Sequence, residues 1–324
     1  MKSLKGKSLG QLIHENWILL VPYVIFIVIT AVIAVLNPGT LGLGWIANKS
    51  DAAFSLILVS IGQTLVLLIG GFDLSVGGVI CVTNCLSAVY MGDSVGGMLL
   101  WSGVCVLFGI AVGMFNGFVI AKTSMQPFIV TLATQSVCYG IALLILKVDG
   151  GNVSETYTDL FLTRFGEIPL SLILILFLIL LWWYVKRTDF GISIYAVGSN
   201  EKAARLNGIS VLRTKITVYG LSGFFAALAG LFRTAQVASG SPTAGMDFVM
   251  ISISAAVIGG TSLLGGMGGL VGTIVGAFVL KGIADLLVFL NVSSYWSSLF
   301  QGLLLILAVA ISSIAALHRK GETA

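Results

Sequence analysis

In a chain that is 57% hydrophobic and 9% charged, the residues able to do chemistry are few enough to weigh one at a time. Asp73 stands inside I-G-G-F-D-L-S-V-G-G (69–78), between two long apolar runs, and Lys281 and Asp285 stand four residues apart within another. A charge held in a bilayer is costly, so it is paired, or it helps to move a proton, an ion or a solute. At i and i+4, Lys281 and Asp285 share a helix face and neutralise each other, which reads as a structural pair ahead of a proton relay. Asp73 precedes L-S-V, where its carboxylate faces the open amides and positive dipole end of the next helix. A break between helices at that point also suits the lining of a solute path, because irregular backbone at membrane depth survives only inside protein or beside water. Gly70, Gly71, Gly77 and Gly78 permit both the turn and close helix packing.

The other reactive residue types point away from catalysis. His14 and His318 lie near the two ends of the chain, and Cys81, Cys85, Cys105 and Cys138 all fall in apolar stretches without a C-x-x-C pair. These thiols read as small packing residues, and neither a metal centre nor a histidine-based site is expected. Gly6-Lys7-Ser8 lacks the glycine that a phosphate-binding loop carries five residues earlier, and no dinucleotide fingerprint follows a strand. The chain is expected to be no enzyme and to hold no cofactor. Any ATP and Mg would be bound by a separate ATPase chain.

The elements that position these residues are set by the bilayer. A mean hydropathy of +1.07 and the scarcity of charge place the chain outside the soluble norm of about 25% charged residues. At about 20 apolar residues per crossing, spans are predicted at 17–36, 53–70, 74–91, 99–121, 128–147, 168–185, 215–236, 249–262, 271–290 and 297–317. The first run lacks an A-x-A site behind it and is kept as a span instead of a signal peptide. The expected fold is all-α: a polytopic membrane protein of about ten transmembrane helices, some short or broken, forming one transmembrane domain over 1–324. Ten crossings put both termini on one side. With that side cytoplasmic, Lys2, Lys5, Lys7, Lys122, Lys186, Arg187, Lys202, Arg205, Arg213, Lys215, Arg319 and Lys320, 12 of the 17 basic residues, lie inside. Residues 1–16 then form a cytoplasmic N-terminal segment, and the outer loops are acidic, with Asp51, Asp93, Asp149, Glu155, Asp159, Glu167 and Asp247.

Two connections are long enough for a further role. The acidic outer loop 148–167 suits an external partner, and 186–214 is the sizeable cytoplasmic one. Within the latter, Ser199 and Asn200 suit an N-cap, Glu201 the first turn, Ala203 and Ala204 a helix interior, and Gly208 the left-handed position beyond its end. A short capped helix on the cytoplasmic face is either a plain connector or a docking knob for a soluble partner. I-G-G-T-S-L-L-G-G at 258–266 echoes 69–78 and suggests two repeats running in the same direction. Gln63, Asn84, Asn116 and Gln135 are polar residues within spans and, with Gly71, Asp73 and Ser75, are candidates for the path or its gate.

G-G-F-D-L-S-V-G, N-G-F-V-I-A-K-T-S-M-Q-P-F-I-V-T-L-A-T, A-V-G-S-N-E-K-A-A-R-L-N-G-I, L-S-G-F-F-A-A-L-A-G-L, S-G-S-P-T-A-G-M and G-G-T-S-L-L-G-G occur in one order between residues 52 and 312. In this the chain resembles the ribose-type permeases of bacterial ABC sugar importers, within the branched-chain amino acid and sugar permease superfamily. The resemblance implies a permease dimer in the bacterial inner membrane, two cytoplasmic ABC ATPase domains and an extracytoplasmic solute-binding protein. It makes the helix from Asn200 to Gly208 the coupling helix, with Asn200, Glu201, Ala203, Arg205 and Gly208 carrying ATPase contact. The bilayer and these proteins are the partners it implies; nucleic acid is not among them.

The chain departs from the pattern of that family at two places. Where the family reads glycine, an aromatic residue, Glu, Leu and Asp after P-T-A-G, the chain has Asp247, Phe248, Val249, Met250 and Ile251, and a basic position of the G-G-x-G segment is Met267. The missing acids suggest one half of a heterodimer whose partner keeps them. A pentose-like monosaccharide is the expected solute, with a nucleoside as the alternative. An ion-coupled secondary transporter using Asp285 or Asp73, and a membrane scaffold without transport, are the readings to be set against it.

Overall fold

The computed structural model describes residues 9–36, 42–123 and 125–290, together with 292, 296, 299, 302, 303 and 306. The described chain is built almost wholly of helices. In order they are α1 (Leu9–Leu36), α2 (Leu43–Leu68), α3 (Ser75–Tyr90), α4 (Val95–Thr123), α5 (Pro127–Ile145), α6 (Glu155–Phe161), α7 (Leu170–Val185), α8 (Asp189–Ser199), α9 (Glu201–Leu206), α10 (Val211–Val237), α11 (Met246–Ile258) and α12 (Leu270–Phe289). A hairpin of two two-residue strands, β1 (Arg164–Phe165) and β2 (Ile168–Pro169), lies between α6 and α7 in the acidic loop, where no strand is expected from the residues alone.

Among the described residues, five helices, α2, α4, α5, α10 and α12, are long and apolar enough to cross a membrane, and α7 with α8 makes a sixth if that pair is counted as one span bent by 77°. The predicted spans 74–91 and 249–262 are the short helices α3 and α11, of 16 and 13 residues. Half of the predicted N-terminal segment 1–16 is already helical, because α1 starts at Leu9, and the span 297–317 falls almost entirely outside the described residues. The span predicted at 53–70 begins ten residues earlier as α2. Lys49 and Asp51 broke the hydropathy run there, yet both have partners: Lys49 bonds to Asp285, and Asp51 accepts from Ser171 at 2.5 Å and Arg164 at 3.2 Å. Tertiary pairing lets the helix continue through its own charges.

The bundle is organised around α2. Every residue from Ala53 to Leu68 is buried, which a helix apolar on all sides requires. Most of α4, α5 and α7 instead presents apolar side chains outward, as with Leu107, Leu144 and Phe177, the arrangement that lipid accepts without cost. α10 crosses α2 antiparallel: Phe54 meets Phe232 with ring centres 4.7 Å apart, Ser55 meets Gln236, Gly62 faces Ser222, and Gly71 faces Tyr219. On its other side α10 packs against α4 through glycines. A Cβ at Gly113 would fall on the Tyr219 carbonyl, and one at Gly223 on the Gly109 carbonyl, so the backbones meet directly.

A long helix, a break and a short helix followed by another long one occur twice, as α2–α3–α4 and as α10–α11–α12. Because α2 and α10 are antiparallel, these two units run in opposite senses and put their breaks at opposite ends of the bundle. The short helices meet N-terminus to N-terminus: a Cβ at Gly77 would fall 2.5 Å from Val249 Cγ2, and the Gly245 amide donates to Cys81 Sγ at 3.3 Å. The echo of 69–78 in 258–266 marks a different relation. Gly70 and Gly71 donate to Leu67 and Val66, Gly260 and Thr261 donate to Val257 and Ala256, and Gly70 and Gly260 both take positive φ. The two helix ends therefore share one turn, with the structural match offset by one residue from the string match. They sit side by side, joined by Gly266 N donating to Leu68 O at 2.9 Å.

Candidate translocation path and coupling surface

At the end of the bundle where these turns meet, the chain builds a surface helix from local signals. The Asn200 side chain accepts the Ala203 amide at 3.0 Å, Asn207 donates to the Ala203 carbonyl at 2.8 Å, and Gly208 turns the chain with φ +82. Glu201 accepts from Lys215 of α10 at 2.8 Å and from Arg205 at 3.3 Å. The Lys215 hydrogen bond holds the Glu201 carboxyl below its usual range. Only Ala204 is buried, while Leu206 is 88% exposed, an apolar side chain set on a polar surface helix. The capped helix expected between Asn200 and Gly208 is present, with Asn200 as its cap. Ser199 is not a cap; it closes α8, a helix that the sequence had left inside the loop, and its hydroxyl bonds back to Tyr195 O.

α8 connects this surface to both helix ends. Its Tyr195 hydroxyl donates to Gly268 O at 2.8 Å, and a Cβ at Gly198 would fall on Leu68 O and within 2.7 Å of Gly266 N. The segments before α9, after α2 and after α11 are thus in backbone contact.

Asp73 lies directly beyond the α2 turn and is fully buried. Its Oδ1 accepts the Ser75 amide at 3.0 Å and the Ser75 hydroxyl at 2.5 Å, and its Oδ2 accepts the Ser222 hydroxyl of α10 at 2.7 Å. The chain of bonds continues: Asn116 Nδ2 of α4 donates to Ser75 Oγ at 2.9 Å, and Thr134 of α5 donates to Asn116 Oδ1 at 2.7 Å. Next to it, Tyr219 and Thr131 donate to Phe72 O at 3.2 and 3.4 Å. The carboxylate satisfies the first amide of α3, as its position before L-S-V suggested, and it also ties α3 to α4, α5 and α10. Ser222 is the twelfth residue of α10, so at 1.5 Å per residue the junction lies about 16 Å along that helix. An irregular segment at that depth is tolerated because its polar groups are bonded to protein.

The remaining candidates divide. Asn116 and Ser75 belong to the Asp73 network, and Gly71 gives the Tyr219 ring room, since a Cβ there would lie 2.5 Å from its hydroxyl. Asn84 acts at the opposite break, donating to Thr234 at 2.7 Å and accepting the Ser241 amide at 2.6 Å, while Gln135 reaches Met246 Sδ at 3.3 Å. Gln63 stands apart, buried in α2 with neither amide atom bonded among the described residues. The pair Lys281–Asp285 is corrected: Asp285 bonds to Lys49, and Lys281 forms no ion pair among the described residues. Spacing along one helix could not show that α2 brings a cation to the same carboxylate. Ser222, Tyr219 and Thr134 were missed because small or aromatic hydroxyl residues inside apolar spans give no pattern of their own.

Residues 46–309, from early in α2 to beyond α12, match the family described as branched-chain amino acid transport system / permease component. The chain belongs to this permease family. The permease is 34% identical over 327 residues to the ribose import permease protein RbsC of Bacillus subtilis (strain 168), covering 96% of this chain and 98% of the relative. It is 33% identical over 297 residues to the RbsC of Haemophilus influenzae, covering 89% and 90%. To the galactose/methyl galactoside import permease protein MglC of the same organism it is 28% identical over 341 residues, covering 99% and 100%. No solved structure matches.

Proposed function

We propose that this permease is the membrane subunit of an ATP-binding-cassette importer and passes a monosaccharide between extracytoplasmic and cytoplasmic faces of the bacterial inner membrane. The observation that carries the reading is the contact of α8 with both helix ends, next to a capped, exposed α9. Full-length similarity to permeases named for ribose and galactose supports the sugar class. In this reading the chain crosses the membrane ten times with both termini in the cytoplasm, a second permease subunit completes the path, and a solute-binding protein docks on the opposite face. ATP and Mg belong to the ATPase, whose closure moves α9; Asn200, Glu201, Ala203, Arg205, Gly208 and the exposed Leu206 form its seat. The junction at Gly71, Asp73 and Ser75, braced by Asn116, is the inner gate, and Asn84 with Gln135 braces the outer one. Gln63, buried and unbonded between them, is the group best suited to meet a solute hydroxyl.

The departures at Val249 and Ile251 support a heterodimer. Val249 is buried on the Gly77 crossing, so in a partner that keeps an acid at the equivalent position the charge would lie at the centre of that partner's own bundle. Uptake by membrane vesicles containing the assembled transporter tests the whole reading. Sugar accumulation is expected to require ATP and to be lost in Glu201→Lys, with the protein still inserted. Accumulation that persists without ATP and collapses with the proton gradient would instead mark an ion-coupled carrier.

A further inference from the structure

The mechanism above leaves a group of charges unused in the half of the bundle away from α9. Gln236 of α10 donates to Asp51 O of α2 and accepts from Ser55 at 3.2 Å, which fixes the last turns of α10 against the first turns of α2. One turn back on α10 is Arg233, and half a turn back on α2 is Lys49. Lys49 bonds to Asp285 of α12, and Lys281 lies one turn before Asp285. Arg233 is within electrostatic range of Asp247 at the start of α11, and Lys281 is within range of Arg233, Lys49 and Asp285. Three cations and two carboxylates from four helices therefore share one region, with a net charge of +1. Lys49 is paired with Asp285, and the adjacent Asp51 with Arg164, a neutral pair that leaves this balance unchanged. Arg233 and Lys281 are half-buried in apolar helices and have neither a hydrogen bond nor an ion pair among the described residues.

Two cations within electrostatic range of each other, in a group one carboxylate short of neutrality, are costly at membrane depth unless an anion joins them. A neutral sugar supplies none. We propose that Arg233 and Lys281 form a binding site for the carboxylate or phosphate of a transported acidic sugar, at the side of the bundle opposite α9. The site's position favours a solute over a lipid headgroup. Arg233 and Lys49 lie on α10 and α2, the two most enclosed of the long helices, whereas α1, α4, α5 and α7 turn broad apolar faces outward. Arg233 offers a planar fork and Lys281 a point charge, the combination that fits a carboxylate or phosphate oxygen pair. The inference rests on the importer reading and narrows its substrate class.

Full-length permease in phosphatidylcholine nanodiscs provides the test, with glucuronate and ribose 5-phosphate as probes against glucose and ribose. At least one anionic probe is expected to bind about tenfold or more tightly than its neutral counterpart, and Arg233→Gln and Lys281→Gln each to weaken it about 10- to 100-fold. Lys281→Arg, which keeps the charge, is expected to retain binding and guards against a folding defect. Equal affinity for charged and neutral probes, or unchanged anion binding in both glutamine variants, overturns the proposal. So does stabilisation seen only when anionic lipid is added, or variants that lose a second permease subunit while binding the probes normally. ATP-dependent uptake separates the two levels: driven uptake of neutral ribose, unaltered by either variant, refutes the acidic-sugar site alone. Absence of ATP-driven uptake for every sugar refutes the importer reading itself.

Discussion

Asp73→Ala is the sharpest test of the inner junction. The substitution removes the acceptor of three donors in a site with no exposure: the Ser75 amide, the Ser75 hydroxyl and the Ser222 hydroxyl. Ser222 can turn its proton to a carbonyl of its own helix, as serines in helices do. The Ser75 groups have no such route, because Ser75 is the first residue of α3: no helical turn precedes it to offer a carbonyl, and its amide stands at an open helix start. Two orphaned donors at about 1–3 kcal/mol each give a loss of about 2–6 kcal/mol, a large share of the 5–15 kcal/mol that holds a typical domain. Asp73→Asn keeps an oxygen toward Ser75 and offers an amide to Ser222, whose hydroxyl then accepts, so its cost is expected to stay near 1 kcal/mol. The four buried free thiols, Cys81, Cys85, Cys105 and Cys138, provide the assay, since a thiol-reactive fluorophore labels them only as the bundle opens. At about 2 °C per kcal/mol, Asp73→Ala should melt about 4–12 °C below the parent protein and Asp73→Asn within about 2 °C of it. Equal melting of Asp73→Ala and the parent would refute the argument from orphaned donors. A fall in Asp73→Asn as large as that in Asp73→Ala would show that the negative charge itself is what matters.

Three further outcomes follow from the geometry. Gly113→Ala drives a Cβ onto the Tyr219 carbonyl at the α4–α10 contact, backbone against backbone, and is expected to abolish assembly of the bundle, read as loss of monodisperse protein after solubilisation. Asn84→Ala frees Ser239 and Ser241, so protease cleavage within 238–245 should become faster without any change near α9. Glu201 has a carboxyl pKa lowered by Lys215, so the α9–α10 clamp contributes its stability above the ordinary value of 4.5 and loses it as pH falls through the lower folded value. Amide exchange in 200–208 should therefore be flat from pH 8 to about 5, once corrected for intrinsic rates, and rise only below about 4.5.

How much of this could be read from residues alone depended on the range of the interaction. α9 is local: Asn200, Glu201 and Gly208 act on amides and carbonyls a few residues away, and the sequence placed the helix and its cap. The apolar lengths of α4, α5, α10 and α12 were legible for the same reason, since lipid and core select composition segment by segment. The start of α2 was not, because Lys49 and Asp51 are made tolerable by Asp285, Ser171 and Arg164, all far along the chain. Asp73 was legible as the partner of the α3 amide, two residues away, but its bond to Ser222 spans 149 residues and leaves no pattern in either strand of sequence. The bend between α7 and α8 was hidden in a loop whose basic residues read as surface, although Thr188 caps a helix there.

The contact of Gly198 with Leu68 and Gly266 has one more consequence. With no side chain between three stretches of backbone, there is nothing compressible at that meeting point, and a displacement of α8 cannot be absorbed by rotamer changes. It forms a linkage without play: any push that α9 received would reach the α2 turn and the α11 turn together, so from that face the two halves of the bundle would be driven in one stroke.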